Sequence, residues 1–153
     1  MYEESIRMPF LVRYPPVIKP GSVSDAMILN VDLAPTFLDL AGQTTPAEVQ
    51  GRSISALLAG KSPADWRQSW YYRYYHYPNE HGTEPHYGVR TERYKLIYFH
   101  RINQWELFDL KTDPRELKNI VSDPKNAALV QELKEELARL RKELDDRNQF
   151  AIR

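Results

Sequence analysis

Cysteine is absent from all 153 residues, which removes disulfide scaffolds, thiolate-ligated zinc and any thiol nucleophile from consideration. A surplus of either charge is missing as well. The 21 Lys and Arg balance 21 Asp and Glu, so no global field draws the chain to nucleic acid or to an anionic membrane. No apolar run approaches the roughly 18 to 20 residues of a membrane span. Residues 1–15, MYEESIRMPFLVRYP, lack the charged-then-apolar layout of a signal peptide. They enter a strand-like pattern at once, as an internal stretch of a longer chain would. Catalytic signatures are equally scarce: no serine stands in a Gly-x-Ser-x-Gly elbow, and no glycine-rich phosphate loop is written.

What is present suffices for one ordinary domain or two small ones, since 42% of the residues are apolar. Alternation of Met8, Phe10, Val12 and Tyr14 predicts a short strand over 7–14, with Pro9 at its start or edge. A Pro- and Gly-punctuated loop follows. NVDLAPTFLDLAG predicts a helix that starts at Asn30 or Asp32, tolerates Pro35 in its first turn, turns Leu33, Phe37, Leu38 and Leu40 to one side and stops at Gly42. Residues 43–66 read as loop around one turn of helix in SISALLAG, and a composition shift near Lys61 to Asp65 marks a subdomain boundary.

Beyond it, SWYYRYYHY, YGVRTER, YKLIYFH and WELFDL read as four successive strands, with a tight turn at Arg93 and Tyr94. Asp113, Pro114 and Glu116 carry the capping pattern of a short helix, and Asp123 with Pro124 repeats it for a long final one. In that last helix Val130, Leu133, Leu137, Leu140 and Leu144 step by three and four, a seam expected to dock on the sheet.

Four histidines occur, at 76, 81, 86 and 100. His81 and His86 with Glu80 and Glu84 can be written as a metal cluster, but the spacing matches neither a helix face nor a zinc pattern, so no metal site is assigned. His76 and His86 end one strand and begin the next, at a rim where neutral imidazoles can hydrogen-bond sugar hydroxyls above tyrosine platforms. The alternative is a surface or structural role for both. Basic and aromatic residues interleaved on strands also suit single-stranded nucleic acid, but the neutral charge balance argues against that partner.

In order and spacing, YEESIRMPFLVRYP, VDLAPTFLDLAG, GRSISALLAG, YGVRTERYKLIYF and WELFDLKTDPRELKNI resemble the C-terminal third of a sulfatase, over residues 2–145. The stretches YYHYP and VRTERYKLI are similar to the branch that acts on sulfated sugars. The resemblance implies an alkaline-phosphatase-like α/β fold, seen here as α+β. Residues 1–62 would end the catalytic domain, and 63–153 would form a C-terminal subdomain of about four antiparallel strands under a long helix.

The resemblance also implies hydrolysis of sulfate esters by a formylglycine, made in a Cys/Ser-x-Pro-x-Arg motif, with calcium polarising the sulfate. That motif is absent from this sequence. The calcium carboxylates and a sulfate-contacting lysine would lie upstream, so the chain is expected to carry no catalytic residue and to be inactive alone. By the same resemblance His76 and His86 are expected to contact a sulfated sugar or aryl sulfate, with Arg90 and Arg93 as lesser contacts. Both arginines have a structural alternative in pairing with Glu92, Glu106 or Asp109. The competing function is a non-catalytic carbohydrate-binding or assembly module. Sulfatases of this type work in the periplasm, outside the cell or in lysosomes. An unpaired strand at 7–14 would favour a homodimer.

Overall fold

In a computed structural model the chain is described over residues 1–77 and 82–146. It forms two compact units: Met1–Met8 with Ser69–Arg153, and Pro9–Gln68.

The first unit is built on β1 (Ser69–Tyr74), β2 (His86–Thr91), β3 (Tyr94–Phe99) and β4 (Gln104–Asp109), an antiparallel meander in sequence order. Register pairs Tyr74 with His86, Arg90 with Lys95, and Ile97 with Glu106. Because side chains alternate across a strand, Tyr87, Val89, Leu96, Tyr98 and Leu107 share one face. They are buried there with Leu133, Leu137 and Leu140. Those leucines belong to α4 (Ala127–Glu143), so the predicted seam docks on the sheet. The approach to α4 is a 3₁₀ turn, Pro124–Asn126, whose first free amide, on Lys125, is accepted by the Asp123 carboxylate at 3.0 Å.

The opposite face carries Trp70, Tyr72, Ile97, Phe99 and Phe108, and it is covered by the first six residues of the chain. Residues 3 to 6 form one helical turn, α1 (Glu3–Ile6). Met1 and Ile6 pack on Ile97 and Phe108, and the Tyr2 ring meets Phe108 edge-on at 6.0 Å. The Tyr2 hydroxyl donates to Glu106 at 2.7 Å. Gly88 makes the approach possible: a Cβ there would stand 2.3 Å from the Leu96 carbonyl oxygen and 2.7 Å from Met1 Sδ.

The second unit holds a 3₁₀ turn at Asn30–Asp32, then α2 (Leu33–Leu40) and α3 (Ser55–Leu58). Gly42 and Gly60, both at positive φ, stand just beyond these helices as the sequence predicts. Asp32 organises the unit. Fully buried, its carboxylate accepts both Arg67 guanidinium nitrogens and the amides of Leu29 at 2.7 Å and Arg52 at 2.8 Å. Thr36, also buried, donates to the Asp32 carbonyl and accepts the Ile54 amide, tying α2 to the start of α3.

Two expectations fail, each for a physical reason. Residues 7–14 form no strand: Met8 and Leu11 are largely exposed, and no neighbouring strand offers a ladder to the alternating side chains. The edge-pairing argument for a homodimer therefore has no strand to rest on. The helix expected after Asn30 does form, as α2, with Phe37 and Leu40 exposed and Asp32, Pro35 and Thr36 buried. The short helix after Asp113 is a turn. Glu116 sits at φ 55° with its carboxylate drawn into the sheet unit, where it meets Lys95.

Candidate functional site

One end of the sheet, where β1 finishes and β2 begins, gathers the histidine rim. Tyr72 and Tyr74 from β1 stack on the His86 ring at 5.8 and 5.5 Å, and Phe99 from β3 tilts against it at 5.1 Å. His86 Nδ1 lies 2.8 Å from the Glu84 carbonyl, to which it must donate. Nε2 is thereby left to accept from the Met1 amine, also at 2.8 Å. Burial holds the imidazole pKa down at about 4 and that of the amine at about 6. His86 is therefore a neutral, buried group that ties the first residue to the sheet.

His76, two residues past β1, is exposed. Beside it are the exposed Tyr75 and Tyr77 rings, the first beneath Arg73 and the second beneath Arg101 at 3.6 Å. His81 and Glu80 lie outside the described residues. His100, on the α4 face of the sheet, stacks on Tyr87 at 6.0 Å; burial, then the charge of Arg73, lowers its pKa. Next to it Asp146 accepts from Arg73, Tyr71 and Arg141, closing the end of α4 onto β1.

Arg90 and Arg93 are at the other end of the sheet. Arg90, at the end of β2, reaches Glu3 at 3.3 Å and the Thr91 carbonyl at 2.8 Å. Arg93, in the β2–β3 turn, makes a two-point pair with Asp109 at 2.9 and 2.7 Å, one of the structural alternatives the sequence offers. Four residues of β2, about 13 Å at the usual rise of ~3.3 Å per residue, separate Arg90 from His86. The four candidate residues thus fall into two groups.

At the same end as Arg90 lies a cluster that sequence reasoning missed. Lys95, the second residue of β3 and the register partner of Arg90, is fully buried and bridges Glu3 at 2.7 Å and Glu116 at 2.6 Å, while the Glu3 amide donates to Glu116 at 2.6 Å. Burial pushes the Glu3 carboxyl up, but hydrogen bonds from Lys95 and Arg90 outweigh it and hold the pKa below its usual value. A lysine inside an otherwise apolar and aromatic strand was the signal available in YKLIYF.

Calcium and formylglycine, which the sulfatase resemblance implies, do not fit the residues described. Among them no three of His, Asp and Glu come together as a metal site. Asp32 is engaged by Arg67 and two amides, and Asp39 by Ser53 and Ser55. Ser122 precedes Pro124 at the motif's offset but is followed by Asn126 where arginine is required, and Asp123 between them caps the final helix.

The four-stranded antiparallel meander backed by one long helix is a fold this chain shares with alkaline-phosphatase-like hydrolases. The chain belongs to the family described as N-sulphoglucosamine sulphohydrolase, C-terminal, matched over residues 1–143. It is a C-terminal sulfatase domain. An N-acetylglucosamine-6-O-sulfatase of Bacteroides thetaiotaomicron is 49% identical over 149 residues, 95% of this chain and 27% of the relative. A solved structure of a protein in complex with its substrate, D-glucosamine-2-N,6-O-disulfate, superposes with a TM-score of 0.86 at 47% identity, covering 89% of this chain and 28% of that one. A phosphonate monoester hydrolase from Silicibacter pomeroyi superposes at 0.73 with 32% identity, over 84% and 28%. The chain therefore spans about a quarter of the length of the relatives it matches.

Proposed function

We propose that this chain is the C-terminal part of a sulfuric ester hydrolase acting on a sulfated sugar of the N-acetylglucosamine type, and that it is inactive alone. The observation that carries the reading is the 49% identity to an N-acetylglucosamine-6-O-sulfatase along nearly the whole chain. The Cys/Ser-x-Pro-x-Arg nucleophile motif, absent from these 153 residues, supports the second clause. The module contributes shape and hydrogen bonding at the mouth of the active site through the exposed His76, Tyr75 and Tyr77. His86 acts from beneath, orienting the rim. The expected setting is the periplasm or the cell exterior.

The test has two arms. The isolated chain is incubated with an aryl sulfate and calcium, and no turnover is expected; activity that survives repurification refutes the claim of inactivity. The longer polypeptide, carrying the upstream sequence, is then assayed on 6-O-sulfated N-acetylglucosamine. There His76→Ala is expected to raise KM about tenfold, the worth of one hydrogen bond, with little change in kcat. A second reading, hydrolysis of a phosphonate ester, is favoured by the 32% identical phosphonate monoester hydrolase. A preference for phenyl phosphonate over the sulfated sugar would select it. Saturable sugar binding by a longer polypeptide without turnover would select the non-catalytic carbohydrate-binding module instead.

A further inference from the structure

At the end of the sheet away from the histidines, a cleft of about 420 Å³ opens between α1, the β2–β3 turn and the segment after β4. Its walls carry four cations, Arg7, Arg90, Arg93 and Lys111, against two carboxylates, Glu3 and Glu92. In a chain whose charges balance overall, this is a local surplus, and the cations differ in how far they are neutralised. Arg93 is engaged by Asp109. Arg90 meets both oxygens of Glu3, but at the longer distances of 3.5 and 3.3 Å, while the first of them is also held at 2.7 Å by the buried Lys95. Arg7 and Lys111 are exposed and form no ion pair among the described residues.

The wall is also fixed in place. Arg90 stands on a central strand with its guanidinium pinned to the Thr91 carbonyl at 2.8 Å, and Glu3 is anchored through Lys95 and Glu116. A guanidinium held rigidly on one side and flexible cations on the other is the arrangement that receives a compact oxyanion by charge-assisted hydrogen bonds. Carboxylates already occupy a two-point face of both Arg90 and Arg93, which leaves monodentate donors arranged around a space, a better match to a tetrahedral anion than to a planar one.

We propose that this cleft is a binding site for a sulfate-type oxyanion, presented as inorganic sulfate or as a sulfate ester on a sugar, and that it is separate from the histidine rim. That the oxyanion is sulfate rests on the sulfatase reading above; that the cleft takes a tetrahedral anion rests on the four cations alone. Because Arg90 and His86 are about 13 Å apart along β2, the cleft serves a second anionic group or a released one.

The 153-residue chain, labelled with ¹⁵N, is titrated at low ionic strength with sodium sulfate, glucosamine 6-sulfate, sodium phosphate and, at matched ionic strength, sodium chloride. Saturable shifts at the Arg90 Nε–H and the amides of Glu92 and Lys111 are expected with sulfate and with the sugar sulfate. A sugar sulfate that binds more tightly than sulfate identifies the ester as the ligand, and equal affinities identify the free ion. Arg7→Gln and Lys111→Gln, neither of which breaks an ion pair, should each weaken binding about fivefold, the upper end for an exposed charge pair. Arg115→Gln, an exposed cation that does not line the cleft, should leave it unchanged. Shifts that fail to saturate, equal shifts with chloride, tighter binding of phosphate than of sulfate, or an equal loss in Arg115→Gln would each overturn the proposal. None of these bears on turnover of 6-O-sulfated sugar by the longer polypeptide, so the two readings fail separately.

Discussion

His86 stands where a strand begins, as the sequence indicates, and its ring is committed within the fold. The residue pairs with Tyr74, and the ring is buried and neutral, with both nitrogens engaged. A histidine whose folded pKa is about 4, against about 6.5 when unfolded, binds its proton more readily in the unfolded chain. Its contribution to stability is complete above pH 6.5 and is lost as pH falls toward 4. Urea unfolding followed between pH 7 and 4.5 should show a loss on the order of 1–3 kcal/mol from His86, so the total loss should be smaller in His86→Asn, where the Met1 amine, with its pKa at about 6, titrates without it. The carboxylates held low by arginines, such as Asp109 at about 2, give up their share only at still lower pH, which keeps the two windows apart. Lys95 makes the complementary case. Lys95→Met leaves Glu116 without its cation and Glu3 with Arg90 alone, and about 3–5 kcal/mol should be lost in urea. Lys95→Met with Glu116→Leu should recover most of it.

Among the elements, those with long periodic signals were legible and those defined by a partner were not. The seam of α4 could be read at three- and four-residue steps, and the four strands by alternation and turn residues. Leu137→Ala should cost about 2–5 kcal/mol in urea unfolding, because it opens a cavity between helix and sheet. Arg139→Ala, despite pairs to Glu136 and Glu143 at 2.7 and 2.6 Å, should cost under about 1 kcal/mol, since the guanidinium is exposed. By contrast, residues 7–14 alternate as a strand does, and nothing local reveals that no neighbour is available. The Asp113 and Glu116 pair has the spacing of a capping box, yet a buried lysine about twenty residues upstream in sequence commands the glutamate. For the candidate site, the histidine rim was visible as a strand junction. The Lys95 cluster was hidden because its members, at 3, 95 and 116, meet only through the tertiary fold.

At the scale of the whole molecule, the sheet unit is not a contiguous stretch of chain: its second face is completed by residues 1–8, with residues 9–68 forming the other unit between. Deleting residues 1–6 should therefore uncover Ile97 and Phe108, seen as binding of an apolar dye and faster amide exchange in β3, while the α4 face keeps its protection. If β3 keeps full protection, the sheet does not need this cover. The same arrangement limits where the chain can be divided, since any boundary drawn between residues 8 and 69 would separate the sheet from the segment that shields it.

That shielding segment, described above only by its contacts, also imposes an order of events. Met1 and His86, 2.8 Å apart in the fold, are 85 positions apart in sequence, whereas β1 to β4 pair only with their immediate successors. The meander can thus zip locally, and the closing of so long a loop comes afterwards, at an entropic cost that grows slowly with its length. During synthesis at roughly 5–20 residues per second, the first six residues precede the end of β4 by about 5–20 seconds. For that interval Met1, Tyr2 and Ile6 have no surface to receive them, so this is the stretch that a chaperone would meet bare.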